Sequence, residues 1–322
     1  MTVKASIKAS VKLTFFGVLP GWREYFKMLD VVDSSSKKSN FKASKKRQRR
    51  APEPLGRGSP IVPNAGIEAW YRREMNSVVR AMIDDYREKI KEAIEHPELQ
   101  RFYGDAAAKT IFTRVLEKLE KVWRETFEGF ASKCAPEFVG KTEQSVTTST
   151  LASLSVAGVS EPRATYNEAI ANTLSASVDF NHTLITGIQQ ETHEKIYNAV
   201  MLSLTSPNPE EQGTSGIVKA IQEAGITAKN RVDLISRDQT SKLYSSLSDE
   251  RMKQNGCEEF EWLHSSAGKT PRESHVHLNE RIFRLDDPRL WEVGGELNLK
   301  KGDVGPPGWA INCRCRKLPV FR

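Results

Sequence analysis

Ile67, Trp70, Tyr71, Met75, Val78, Val79, Met82, Ile83, Tyr86 and Ile90 recur in steps of one, three and four. Such an order gathers them on one face of an α-helix. Asn64 stands just before this stripe, where its side chain can accept a free backbone N–H and cap the first turn. Pro97 closes the run. A second stripe, Ile111, Phe112, Val115, Leu116, Leu119, Val122, Trp123, Phe127 and Phe130, follows after a short connection and reads as an antiparallel partner. Cys134, near its end, reads as a small buried hydrophobe. Residues 142–160 are rich in Ser, Thr and Val with weak periodicity. Helical spacing returns from about Ala164 with Leu184, Ile185, Ile188, Ile196, Val200 and Leu204, and Pro207 and Pro209 mark a loop. Ile217, Ile221 and Ile226 suggest a short helix ending near Gly225. Val232, Leu234, Ile235, Leu243, Tyr244, Leu247 and Met252 then describe a long one, stopped by Gly256.

From Cys257 the character changes. Residues 258–264, 281–285 and 315–321 read as strands, separated by Gly294-Gly295, Gly302 and Gly305-Pro306-Pro307-Gly308. So few apolar residues make a thin core, and thin cores are often stapled by a metal.

At the other end the charge is concentrated. Residues 1–60 hold fourteen Lys/Arg against four Asp/Glu, so the +7 net charge of the chain belongs to this segment. The run Lys45-Lys46-Arg47-Gln48-Arg49-Arg50 precedes Pro52, Pro54, Gly56, Gly58, Pro60 and Pro63. Self-repulsion and proline spacing both oppose packing, which predicts a flexible arm that meets something acidic. Lys45, Lys46, Arg47, Arg49 and Arg50 are the candidate contacts to DNA phosphates or another negatively charged surface. The rival reading is a solvated, solubilising tail, and sparse aromatics argue against base stacking.

The whole chain, at 322 residues, 38% hydrophobic and 28% charged, is long enough for two domains with a real core. No stretch reaches the ~18 apolar residues of a membrane span. The apolar residues 13–19 are short, are stopped by Pro20, and lead to no convincing cleavage site, so cytosolic synthesis is expected.

The last third carries an ordered series: Arg231-Val-Asp-Leu-Ile-Ser-Arg-Asp-Gln-Thr-Ser-Lys242, then Phe260-Glu-Trp262, Arg272-Glu-Ser-His275, Leu278-Asn279, Pro306-Pro307-Gly308 and Ile311-Asn-Cys-Arg-Cys315. The series resembles the phage Mu F-like domain of minor head proteins, most strongly over residues 231–322. Residues 181–200 and Tyr71-Arg-Arg-Glu-Met75 resemble the helical part of those proteins. The chain departs from the family pattern at Ala267-Gly268-Lys269 and at Glu280. The resemblance implies a virion protein made in the host cytoplasm. It would join the procapsid at the portal vertex beside portal, capsid or scaffold proteins, and some relatives associate with double-stranded DNA. Some relatives also carry toxin or transferase domains beyond this part. This chain ends seven residues after Cys315, so none is expected here.

The chemistry centres on His275, His277, Cys313 and Cys315. Zinc favours four N/S ligands in a tetrahedron, and two pairs at i, i+2 converge if each lies on a strand. His264 is the substitute should His277 point away. Two other readings compete. In one, His275 bonds buried backbone beside packed thiols. In the other, Cys313 and Cys315 form a strained disulfide, which a reducing cytosol would prevent. Arg272 and Asp238 read either as a buried pair fixing the helix against the C-terminal unit or as surface groups worth little. A nuclease-like metal site would need a partner carboxylate cluster, and none stands out at a convincing spacing.

The expected architecture is mainly α: a flexible basic arm (1–63), a helical body (64–256) and a small, loop-rich α+β unit (257–322). The expected role is non-enzymatic head morphogenesis, with a structural zinc as the one candidate cofactor and no membrane partner. The rivals are a DNA-binding packaging or ejection protein acting through the arm, and a metal-dependent hydrolase.

Overall fold

Asn64 caps the first helix as its position predicts. Its Oδ1 accepts from the N–H of Gly66 and Ile67, and α1 (Ala65–Ile94) follows. Tyr71, Met75, Val79, Met82, Ile83, Tyr86 and Ile90 are buried along one face of it. The computed structural model describes residues 56–95, 106–204, 213–265 and 271–321. The basic run 45–50, the Pro97 stop and the Pro207–Pro209 loop lie outside the described residues.

Helix α2 (Ala106–Val156) is 51 residues long, about 77 Å at 1.5 Å per residue. It carries straight through the Ser/Thr-rich stretch that showed only weak periodicity. The period is kept there partly by polar residues: Thr142, Thr150 and Ser153 are buried along with Val139, Val146 and Leu154. Hydroxyls in this stretch bond back one turn, as in Thr142 Oγ1 to Phe138 O at 2.7 Å and Ser149 Oγ to Ser145 O at 2.9 Å. A stripe made partly of threonine and serine is invisible to a search for apolar residues.

Helix α3 (Glu168–Ser203) starts at the Asn167 cap and buries Ile185, Ile188, Ile196 and Val200, as the spacing predicts. Helix α4 (Gly213–Gln254) corrects a second expectation. The chain does not break at Gly225 but runs on as one helix of 42 residues. Gly225 is small where α1 comes close, and a Cβ placed on it would sit 3.4 Å from the Ile83 side chain. Gly256, at φ +71°, ends the turn after α4, as expected.

α4 packs against α1, α2 and α3, and between Ile235 and Met252 most of its residues are buried. A buried Arg251 ties the helices: it reaches Glu143 at 2.7 Å, Thr147 at 3.0 Å and the Thr165 carbonyl at 2.7 Å.

Three short strands follow, near the positions read from the sequence: β1 (Glu259–Leu263), β2 (Ile282–Arg284) and β3 (Arg316–Val320). The sheet order is β2-β1-β3, antiparallel throughout, with Phe260 opposite Phe283 and Pro319. A five-residue helix, α5 (Glu273–His277), lies between β1 and β2, and a 3-10 turn (Pro288–Trp291) follows β2. Phe260, Trp262, Phe283, Leu290 and Leu299 form the thin core.

Residues 56–63, expected to belong to the flexible arm, lie in place along the open edge of β3. The N–H of Gly58 and of Ile61 each donate to β3 carbonyls at 2.9 Å, and Arg57 pairs with Glu261 at 3.1 Å. An unpaired strand edge offers a row of N–H and C=O groups, and this segment satisfies part of it despite its prolines. Ser153 of α2 clamps the same segment, accepting from Ser59 N–H at 3.0 Å and donating to Ser59 O at 2.6 Å.

Candidate metal centre

The C-terminal unit brings His275, Cys313 and Cys315 together, with their ligand atoms all within 4.8 Å of one another. Cys313 and Cys315 precede β3 on an extended segment, so both turn inward while Arg314 between them is exposed. The alternation is the one their i, i+2 spacing predicts. It fails for the histidines because they lie on α5, a helix. Successive side chains turn by about 100° there, so residues two apart point to nearly opposite sides. His275 is buried and His277 is exposed outside the group. His264 follows β1, half-buried, its backbone N–H donating to Asn279 Oδ1 at 2.8 Å, and is not in the group either.

Asp303, in the Gly302 loop, fixes α5. Its carboxylate accepts from Ser274 Oγ at 2.7 Å and pairs with Arg272 Nε at 2.6 Å. Its carbonyl oxygen lies 2.8 Å from His275 Nε2. A carbonyl can only accept, so Nε2 carries the proton. Nδ1 is thereby presented to Cys313 Sγ at 3.5 Å and Cys315 Sγ at 3.7 Å. No spacing in the sequence points to Asp303. Arg272 also donates to Ile311 O at 2.6 Å. Of the two readings of Arg272 and Asp238, a buried pair or two surface groups, neither is realised: Arg272 pairs with Asp303, and the buried Asp238 pairs with Lys242 one turn along α4 at 2.7 Å.

α4 holds the cysteine segment from the other side. Arg237 Nη1 donates to Asn312 Oδ1 at 2.9 Å, and Asn312 takes a left-handed φ of 60°. Gly308, at φ +86°, lets the Pro-Pro-Gly turn touch α4, and a Cβ there would stand 3.0 Å from Ser241 O. The Gly308 N–H then donates to Cys313 Sγ at 3.4 Å. Trp262 stands edge-on to the His275 ring, centroids 5.0 Å apart. Its buried indole N–H has no hydrogen-bond partner of ordinary geometry, and its dipole acts on Cys315 in the sense that favours a thiolate.

All four cysteines are free and buried, so the disulfide reading is not realised. They differ in acidity. Burial pushes Cys134 up to about 12 and Cys257 up to about 11, which makes both inert. Cys313 is drawn well below the ordinary thiol range, by hydrogen bonding from Cys315 first and by His275, against the cost of burial. Cys315 is pushed up by the same bond, so the pair holds one proton between them. Burial opposes charge on His275, but Cys313 beside it outweighs this and lifts the imidazole above its ordinary value.

A buried thiolate–imidazole cluster set in a small sheet unit, braced on a long helix, is the class of site this chain presents. Residues 194–318 match the family described as phage Mu protein F like protein. A protein of Haemophilus influenzae, named only as an uncharacterized protein, is 27% identical over 273 residues, covering 81% of this chain. The match takes in 55% of that protein, so the chain spans about half of its relative's length. No solved structure matches this chain. Among the described residues, no helix is long and apolar enough to cross a membrane.

Proposed function

We propose that this chain is a minor head-morphogenesis protein of a tailed bacteriophage, located in the virion head near the portal vertex and made in the host cytoplasm. The observation that carries the reading is the span of the family match. It takes in the second part of α3, all of α4 and the C-terminal unit into β3, with the His275/Cys313/Cys315 cluster and the loops around it. Its partners are the portal and the capsid or scaffold proteins. The reading is non-catalytic and is supported by the way buried charges are spent on one another, Arg251 with Glu143 and Lys317 with Asp249.

Two finer parts belong to the same proposal. The basic run of Lys45, Lys46, Arg47, Arg49 and Arg50 contacts packaged DNA through phosphates. The cofactor is one structural zinc ion, held by His275, Cys313 and Cys315 and stapling a unit whose own core is thin.

Quantitative mass spectrometry of procapsids and mature particles, scaled to the portal protein, tests the role. Low-copy presence in procapsids is the expected result. Absence from both particles overturns it and favours a DNA-binding or hydrolytic protein outside the particle.

A further inference from the structure

We propose that the metal centre is open: three protein ligands, His275 Nδ1, Cys313 Sγ and Cys315 Sγ, with an exchangeable solvent molecule in the fourth position. The inference rests on the zinc reading above and deepens it.

The geometry of the three atoms is that of a metal face. Zinc–sulfur bonds of about 2.3 Å and zinc–nitrogen bonds of about 2.05 Å, set at the tetrahedral angle, place N and S about 3.6 Å apart. The two N···S distances are 3.5 and 3.7 Å. A single S–H···N hydrogen bond explains one short distance. It does not require the imidazole nitrogen to sit equally near both sulfurs. The second ring nitrogen donates to Asp303 O, the outer contact that fixes a ligating histidine in structures of this kind. Both sulfurs are buried and Cys313 Sγ receives the Gly308 N–H, which suits an anionic ligand.

The fourth corner has no protein candidate. Among the described residues no other His, Cys, Asp or Glu joins the group. His277 faces outward on α5, and Asp303 is engaged by Ser274 and Arg272. Cys315 lies on the wall of a small polar cleft with Ser245, Tyr244, Gly308 and Lys317, and the cleft has room for about one water molecule. The Ser245 Oγ in that wall is buried and has no hydrogen-bond partner. Of the three ligands Cys315 alone lines that cleft, and a metal-bound water on its side would complete the tetrahedron and offer this hydroxyl a partner. Zinc sites that only staple a fold use four protein ligands, whereas three ligands leave a position where a small ligand exchanges.

The test uses the full-length chain with its metal replaced by cobalt(II), read by absorption. The expected result is about one cobalt per chain, a thiolate charge-transfer band, and tetrahedral d–d bands that shift when azide is added. The His277→Ala and His264→Ala variants keep these bands, and Cys313→Ser loses the charge-transfer intensity. A spectrum indifferent to azide overturns the open position, and loss of the bands in His277→Ala does the same by showing a closed four-ligand site. In both of those cases the zinc reading stands. A wild-type chain with neither zinc as purified nor any cobalt charge-transfer band overturns both, leaving a hydrogen-bonded thiol–imidazole pair.

Discussion

Lys317 and Asp249 meet where β3 lies on α4. The ammonium reaches Asp249 and the Ser245 carbonyl and sits 5.5 Å from the Phe260 ring centroid. Burial pushes each group toward its neutral form and each partner resists this for the other. Removing one leaves an uncompensated buried charge, so Asp249→Asn is expected to cost about 3 kcal/mol in urea unfolding. The double variant Lys317→Met, Asp249→Leu recovers most of it, because no charge then remains buried. Asp287 offers the pH counterpart. It accepts from the backbone N–H and guanidinium of Arg289, and hydrogen bonding to Arg289 holds its carboxyl below the ordinary value, against burial. A lowered folded-state pKa gives stability that is present above the unfolded value near 3.9 and lost as pH falls through the lower folded one. Asp287→Asn therefore melts earlier than the parent at pH 7, and the gap closes as pH falls below about 4. A gap independent of pH would assign the effect to shape. The Lys317–Asp249 pair was hard to read from the sequence, because its members lie 68 residues apart. Asn64, Cys313 and Cys315 were legible because a cap or a two-residue alternation is local. His277 was misplaced because the same spacing means opposite things on a strand and a helix.

At the level of elements, the three strands and the first helix were readable from spacing alone. The two longest helices were not, for one reason each: hydroxyl residues hold the buried face of α2, and a glycine sits inside α4. Glycine at Gly225 and at Gly308 has different work to do, and substitution separates the two. Gly225 lies in a helix interior, and a Cβ there meets Ile83 at ordinary contact distances of 3.4 to 3.7 Å. Gly225→Ala is expected to stabilise the chain by up to about 1 kcal/mol through helix propensity. Gly308 has a left-handed φ, and its Cβ would press on backbone of α4 at 3.0 Å. Gly308→Ala is expected to destabilise by about 2 kcal/mol from the left-handed backbone and the contact together. It would also disturb the N–H donated to Cys313. Chemical denaturation of both variants checks the contrast. Equal effects of one sign would remove the assignment of Gly308 as the hinge of the cysteine segment.

For the whole molecule, residues 51–322 form one compact unit that contains the cysteine centre, while the chain's excess of positive charge lies before Arg57. On the proposed reading two kinds of function are divided along the chain, and they are expected to respond differently to truncation. If the five cations between Lys45 and Arg50 neutralise DNA phosphates, binding releases counterions, and log affinity falls with log salt at a slope of about −4.5. Removing residues 1–50 abolishes that slope and the associated affinity for duplex DNA, measured by fluorescence anisotropy across a salt series. The same truncation leaves incorporation into procapsids intact if the family-matched segment supplies the contacts to the portal and capsid. A truncated chain that binds DNA as before places the nucleic-acid surface in the body. One that no longer enters particles makes the arm the assembly element, and the division between basic arm and helical body then fails as an account of how this protein works.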